Sequence, residues 1–538
     1  MKPRHRGVSA PVPSTTLAPA PSAAAALRRA DRLILGWSLI VPAFLFAVFH
    51  GYGFDDPYIT YRYAANLAAG QGFVYNPGER VLSTTAPLYA LLLAPFATLG
   101  LDVPLISNLI GCVSLGAGAL ALWRLGRLAG MPVAGGVAAM LYPLSPHLAL
   151  TLGAETTFFM ALTLWGFVAL AARRPAVAGS LLAIATLTRA DAALAAVVGG
   201  TALLLREPPW KRSPCPDNEA STPAGNRPAG GEKASGAPAH GPISGNIHPL
   251  LRFGGAYALI ILPFLGGAWM YFGSPVPATL GVKRSQARIP GSRSYLTGLG
   301  QQLAGLARRP LFWPLLGLAP AGLVTGVWRR GPLLLPLAWG GLHTLAYSLL
   351  GVTAYFWYYG PAALALITAA ALGAEALAAW SGPWRGTRAA GAIFMAMLVS
   401  LALAAQVLAL AWMATHPDPR LPLYRAAGQW LAANAAPAAR VGTVEVGIIG
   451  YHSGRPMVDF AGLIQPDVAG VFEAGGSYDA AARQAIAAYQ PEYLVNQEAA
   501  MPLVGTDPEL AARCVAVAEF PDPRYPSPLT IYRCAWEG

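Results

Sequence analysis

The sequence predicts an α-helical polytopic membrane protein of about eleven transmembrane helices, with a small C-terminal α/β domain outside the membrane. Three observations lead there. Of its 538 residues, 55% are hydrophobic and only 12% are charged, against about 25% charged in soluble domains. Apolar runs of roughly 20 residues, enough to span a bilayer as helices, recur along most of the chain. The Lys and Arg residues behind the net charge of +12 sit in short clusters between those runs, as topogenic loops do. That distribution argues against a nucleic-acid partner.

Taken in order, residues 1–32 are Pro/Ala-rich and basic, and are expected to be a disordered cytoplasmic N-terminus. Leu33 to Phe49 lacks a small-x-small cleavage site after it and reads as an uncleaved first span rather than a signal peptide. Further spans are expected near 104–124, 131–150, 156–172, 175–188, 191–206, 251–272, 311–328, 332–350, 357–380 and 389–414. With a cytoplasmic N-terminus, the inside loops hold Arg124 and Arg127, Arg173 and Arg174, Arg206 with Lys211 and Arg212, Arg329 and Arg330, and Arg385 with Arg388. Each is basic, as the positive-inside rule asks. The run Thr85 to Leu99 then does not cross. Its Pro87 and Pro95 and its short length suit a re-entrant or interfacial helix.

The chain thus divides into a transmembrane half at 33–206 with a first outer loop at 52–103, and a disordered, Pro/Gly/Ser-rich cytoplasmic linker at 207–250. A second transmembrane half at 251–414 with an outer loop at 273–310 and an extracytoplasmic domain at 415–538 complete it. In that domain "RVGTVEVGIIGYHSGRPMVDF", "PEYLVN", "CVAVAEF" and "LTIYRC" read as strands, and "YRAAGQWLAANA" and "SYDAAARQAIAAYQ" as helices. Cys514 and Cys534 flank two strands symmetrically, so they are either a disulfide or two unpaired core thiols.

Candidate chemistry gathers on the outer side. In "FDDPYITYRYAANLAAGQG", Asp56 and Pro57 suit the N-cap and first turn of a short interfacial helix, with Gly70 ending it and Ile59, Tyr63 and Leu67 as its apolar stripe. Asp55 has no such structural duty and is the candidate general base. Glu155 in "GAETTFF" and Arg189 in "LTRAD" fall on the same side, each also readable as a cap or a snorkelling residue. Lys283, Arg284 and Arg288 make an outer loop basic against the positive-inside rule, which points to an anionic ligand or to lipid headgroups. Tyr355, Trp357, Tyr358 and Tyr359 read as an aromatic belt rather than a sugar-stacking surface. Asp55 and Asp56 together could hold a divalent ion, but no cofactor is expected to be required.

"FDDPYITYRYAANLAAGQGFVYNPGERV" with "STTAPLYALLLAPF" resembles the first outer loop of membrane glycosyltransferases of the GT-C fold. The branch is that of the mycobacterial terminal arabinofuranosyltransferases, with protein mannosyltransferases and lipid A aminoarabinose transferases more distant. "GAETTFF", "IATLTRADA" and "VPATLGVKRSQ" resemble later blocks in the same order. The resemblance implies transfer of a hexosyl or pentosyl group, with inversion, from a polyprenyl-phosphate sugar to a glycan, lipid or protein acceptor in the cell envelope. It also implies an acceptor-activating acid at Asp55 or Asp56, a second acid at Glu155, and donor-phosphate contacts at Arg189, Lys283 and Arg284. The enzyme would sit in the plasma membrane among its lipids, with an extracytoplasmic active site. A transporter or flippase of lipid-linked sugars is the alternative, and it predicts inverted repeats and midplane charges. An oligosaccharyltransferase is a third possibility, although its Trp-Trp-Asp signature is missing from the sequence.

Overall fold

The computed structural model describes residues 23–205, 244–289, 291–380 and 385–536. Residues 1–22 of the expected disordered N-terminus and most of the cytoplasmic linker lie outside these residues; residues 23–32 and 244–250, expected to be disordered, instead begin the helices Ala23–Phe49 and Ser244–Phe272.

A helix stands at each expected span. Six stretches are long and apolar enough to cross a bilayer: Ala25–Phe49, Val103–Leu128, His248–Phe272, Pro310–Arg329, Phe356–Ala379 and Ala389–Asn434. The other five, among them Thr156–Ala171 and Pro175–Thr188, have 10–17 residues. At 1.5 Å per residue they reach about 15–25 Å, short of a core of about 30 Å. The helix Pro87–Thr98 has 12 residues and packs on the first-loop helix Asp55–Ala68. Small residues bring some helices together backbone to backbone. At Gly322 an added Cβ would collide with the Ala369 carbonyl, which only glycine avoids.

The C-terminal domain holds a five-stranded sheet in the order β2-β1-β3-β5-β4, from β1 (Val441–Thr443), β2 (Met457–Asp459), β3 (Tyr493–Asn496), β4 (Cys514–Phe520) and β5 (Leu529–Cys534). β1 pairs in parallel with β2 and β3, while β5 runs antiparallel to β3 and β4. Alternation along β3 divides the core. Tyr493 and Val495 face the first outer loop, and Leu494 faces a second cluster around Phe460, Phe472 and Ile486. Cys514 lies opposite Cys534 in the β4–β5 register, and the two form a disulfide.

Two expectations need correction. The stretch from Arg440 to Phe460 is not one strand: Val446–Ser453 forms a helix between β1 and β2. Its apolar residues satisfy either pattern, and a partner elsewhere in the chain decides. The first-loop helix, in turn, does not lie bare on the membrane. Residues Pro57 to Ala64 are all buried, because the C-terminal domain covers them. Tyr58, Ile59, Tyr61 and Tyr63 share one core with Ile448, Ile449, Leu431 and Ile531.

Polar groups fix that docking. Arg62, only 3% exposed, donates from Nε to the Tyr75 carbonyl at 2.9 Å, from Nη2 to the Arg455 carbonyl at 2.7 Å, and from Nη1 to the Gly450 carbonyl. The Asn76 amide exchanges two 2.9 Å bonds with the Met457 backbone on β2. The Tyr75 hydroxyl donates to the Val446 carbonyl at 2.7 Å. Arg62→Ala removes three hydrogen bonds from a charged donor, each worth about 1.5–3 kcal/mol. A lower Tm and earlier proteolytic release of residues 416–536 are expected. Arg62→Lys rescues only part, since an ammonium lacks the fork that reaches three carbonyls.

Candidate active site

Four of the expected residues meet in one small cavity at the foot of the first outer loop. Asp56, Glu155, Arg189 and Lys283 line it, with Trp357 and the hydroxyls of the Ser83–Thr85 segment. Its volume is about 20 Å³, room for a single water.

The two adjacent acids are placed otherwise than expected: Asp55 makes the capping contact, to another helix, and Asp56 faces the cavity. The N-cap of the first-loop helix is Phe54, and both acids stand in the first turn. Neither caps its own helix through the side chain. Asp55 turns to the C-terminal domain, where its Oδ2 accepts the Gly447 N–H at 2.8 Å and its Oδ1 the Ile448 N–H at 2.7 Å. It thus caps the helix Val446–Ser453, whose first N–H groups have no acceptor within the helix. Gly447 permits the approach, because a Cβ there would strike the Asp55 backbone carbonyl. Successive helical residues point about 100° apart, so Asp56 faces the cavity instead. The pair therefore does not chelate an ion jointly. No group of three or more His, Cys, Asp or Glu suited to a metal occurs among the described residues.

Asp56 is held by Lys283. The ammonium lies 3.2 and 3.4 Å from its two oxygens. Lys283, on the helix Thr279–Ser285, is 5% exposed and stands 5.3–5.9 Å from the ring centres of Tyr355, Trp357 and Tyr358. Those aromatics, expected as a membrane belt, form a cage for a cation. Burial works against the ammonium, but the Asp56 carboxylate outweighs it and raises the Lys283 pKa. Arg284, expected beside Lys283 at the donor phosphate, is exposed and lines no part of this cavity. Helical spacing turns it to the other side. Arg288 is likewise exposed.

Glu155 accepts from Arg189 Nη1 at 2.7 Å, and Arg189 donates from Nε to Asp191 at 3.2 Å. Asp191 also accepts from the Tyr347 hydroxyl at 2.9 Å and meets His343 Nε2 at 3.2 Å. Arg189 is thereby fixed from behind. The sequence gives no local sign of His343 or Tyr347, which come from a helix more than 150 residues away. Two further groups went unnoticed: the hydroxyls of Thr156 and Thr279 line the cavity, are buried and have no hydrogen-bond partner. Thr156 opens the helix Thr156–Ala171, whose first-turn N–H groups lack intrahelical acceptors. A helix amino end, two cations and two idle hydroxyls together suit a phosphate.

Comparison with known proteins places the fold. A domain of unknown function, DUF8728, matches residues 416–533. No curated protein matches the chain. Among solved structures, the archaeal oligosaccharyltransferase AglB from Archaeoglobus fulgidus, in complex with an inhibitory peptide and a dolichol-phosphate, is similar over 93% of this chain and 74% of its own, at 11% identity and a TM-score of 0.55. ArnT from Cupriavidus metallidurans, bound to undecaprenyl phosphate, is similar over 92% of this chain and 98% of its own, at 12% identity and a TM-score of 0.57. Its apo form gives 13% identity and a TM-score of 0.56. The chain has the GT-C fold.

The Asp55 contact carries a pH signature. Desolvation, with Glu445 beside it, lifts the Asp55 carboxyl well above the usual range, against the pull of its two N–H bonds. Glu445 is raised by desolvation too. The folded protein therefore keeps protons that the unfolded chain releases above about pH 4. This stabilisation is full below that pH and is lost as pH rises through the raised values. Glu445→Gln should flatten the fall of Tm as pH rises above about 4; an unchanged slope would remove this pair from the docking energetics.

Proposed function

We propose that this protein is a membrane glycosyltransferase that moves a sugar, with inversion, from a polyprenyl-phosphate donor to an acceptor hydroxyl outside the cytoplasm. The observation that carries it is the cavity where Asp56–Lys283 and Glu155–Arg189 face each other, inside a fold shared with proteins solved with lipid phosphates.

In the proposed reaction the acceptor oxygen attacks the anomeric carbon as the carbon–oxygen bond to phosphate breaks. Asp56 takes the acceptor's proton and later returns it to water, and the bonding electrons leave with the polyprenyl phosphate. Lys283 and Arg189 stabilise the charge that grows on that phosphate. Glu155 holds Arg189 on one side and Asp191 on the other. In the observed state Asp56 and Lys283 neutralise each other, and the cavity beside them has room for little more than a water. An arriving phosphate draws Lys283 from Asp56, which opens the site and frees the carboxylate. The donor thus activates the base.

All eleven apolar helices are proposed to cross, several of them tilted or in locally thinned bilayer, leaving Asp56 and the C-terminal domain on the extracytoplasmic side. The basic turns at Arg124, Arg173 and Arg329 then face the cytoplasm.

Purified protein given radiolabelled polyprenyl-phosphate sugars tests the chemistry. Asp56→Asn should lower turnover by about 10²–10⁴, the weight of a positioned base. Lys283→Ala should lower donor use by about ten- to a hundred-fold. Asp55→Asn should lower Tm more than turnover. Full activity in Asp56→Asn, with loss in a well-folded Asp55→Asn, would reverse the assignment. For orientation, an impermeant thiol reagent on intact cells should label Gly475→Cys but not Arg173→Cys; the opposite pattern would overturn the topology.

A further inference from the structure

A second cavity, of about 580 Å³, lies between the helices Gly360–Trp380 and Arg385–Thr415 and the start of Trp313–Arg329. It shares no lining residue with the catalytic cavity. Its walls are apolar, with Leu366, Ala409 and Phe312 among them, but two features are not. Arg308 and Arg309 stand at its mouth, exposed, with no carboxylate within ion-pairing distance among the described residues. Deeper, Gln406 is 2% exposed and its Oε1 has no partner. It lies nine residues before the end of its helix, about 13 Å along the axis.

An unpaired double arginine above an apolar groove, with a lone amide part way down, matches one kind of molecule. The arginines suit a phosphodiester by charge and by their fork geometry. The groove suits a hydrocarbon chain, which packs against its apolar walls. The Gln406 amide, turned over, donates to an ester carbonyl at that depth. The donor's phosphate does not need this place, because Lys283 and Arg189 already face the catalytic cavity. We infer that this groove binds an anionic phospholipid of the outer leaflet, with its phosphodiester on Arg308 and Arg309 and one acyl chain running past Gln406. Only the choice of leaflet rests on the orientation proposed above, and binding is read without any transferase assay.

The protein is reconstituted in nanodiscs of equal phosphatidylglycerol and phosphatidylcholine, extracted into detergent, and weighed by native mass spectrometry. Phosphatidylglycerol should be retained in preference to phosphatidylcholine. Arg308→Ala with Arg309→Ala should cut that retention by about ten- to a hundred-fold, with Tm held within a few degrees. Gln406→Leu should weaken retention while sparing the head-group preference. Added polyprenyl phosphate should leave the bound phosphatidylglycerol in place. Equal retention of both lipids, or retention unchanged in the double variant, would overturn the inference. Displacement by polyprenyl phosphate would overturn it as well and assign the groove to the carrier.

Discussion

The two oxygens of Asp55 each receive an N–H from the amino end of the helix Val446–Ser453, and the rest of the site follows from that contact. It pins the first turn of the first-loop helix to a domain almost 400 residues away in sequence. Once Asp55 is fixed there, helical geometry aims Asp56 about 100° away, into the cavity that holds Lys283. Arg62, two turns along the same helix, draws three carbonyls of the loop and the domain together. In the proposed reaction the C-terminal domain contributes no reacting group; its contact with Asp55 sets the direction in which the Asp56 side chain points.

The cavity is built from opposed charges rather than from free ones. Lys283 with Asp56 and Arg189 with Glu155 each satisfy the other in a space sized for water. Removing one partner of such a pair leaves a buried charge, at about 3–5 kcal/mol. A phosphate can replace the carboxylate at Lys283 without that penalty, because it brings its own negative charge. Arg189 is different. Asp191, Tyr347 and His343 brace it from behind, whereas Lys283 has Asp56 as its one carboxylate partner among the described residues. In the proposed reaction Arg189 stays in place and Lys283 exchanges Asp56 for the phosphate.

Much of this was legible in the sequence, for physical reasons. Apolar length and the sign of loop charges locate helices without any tertiary information, and each expected span finds a helix. Asp56, Glu155, Arg189 and Lys283 stood out because a charge at a membrane mouth is costly unless used. The roles of Asp55 and Asp56 were not legible. "DDP" suits a local N-cap, and only the fold reveals that Asp55 caps another helix. The same contact explains why "VEVGIIGYHS" is helical although its β-branched residues suit a strand: the two Asp55 oxygens accept the first N–H groups of a helix start that the local sequence does not favour. Arg284 was grouped with Lys283 by proximity along the chain, and helical spacing separates them. Thr156, Thr279, His343 and Tyr347 gave no signal, because lone hydroxyls and aromatics in apolar runs are indistinguishable from packing.

The central claim is that Lys283 exchanges Asp56 for the donor's phosphate. A cryo-EM structure of the protein with a polyprenyl phosphate bound tests it most directly. The account predicts phosphate oxygens within hydrogen-bonding distance of both Lys283 Nζ and the Arg189 guanidinium, with the 3.2 Å contact between Lys283 and Asp56 broken and Asp56 open to solvent. A phosphate bound away from Lys283, with that contact intact, would contradict it.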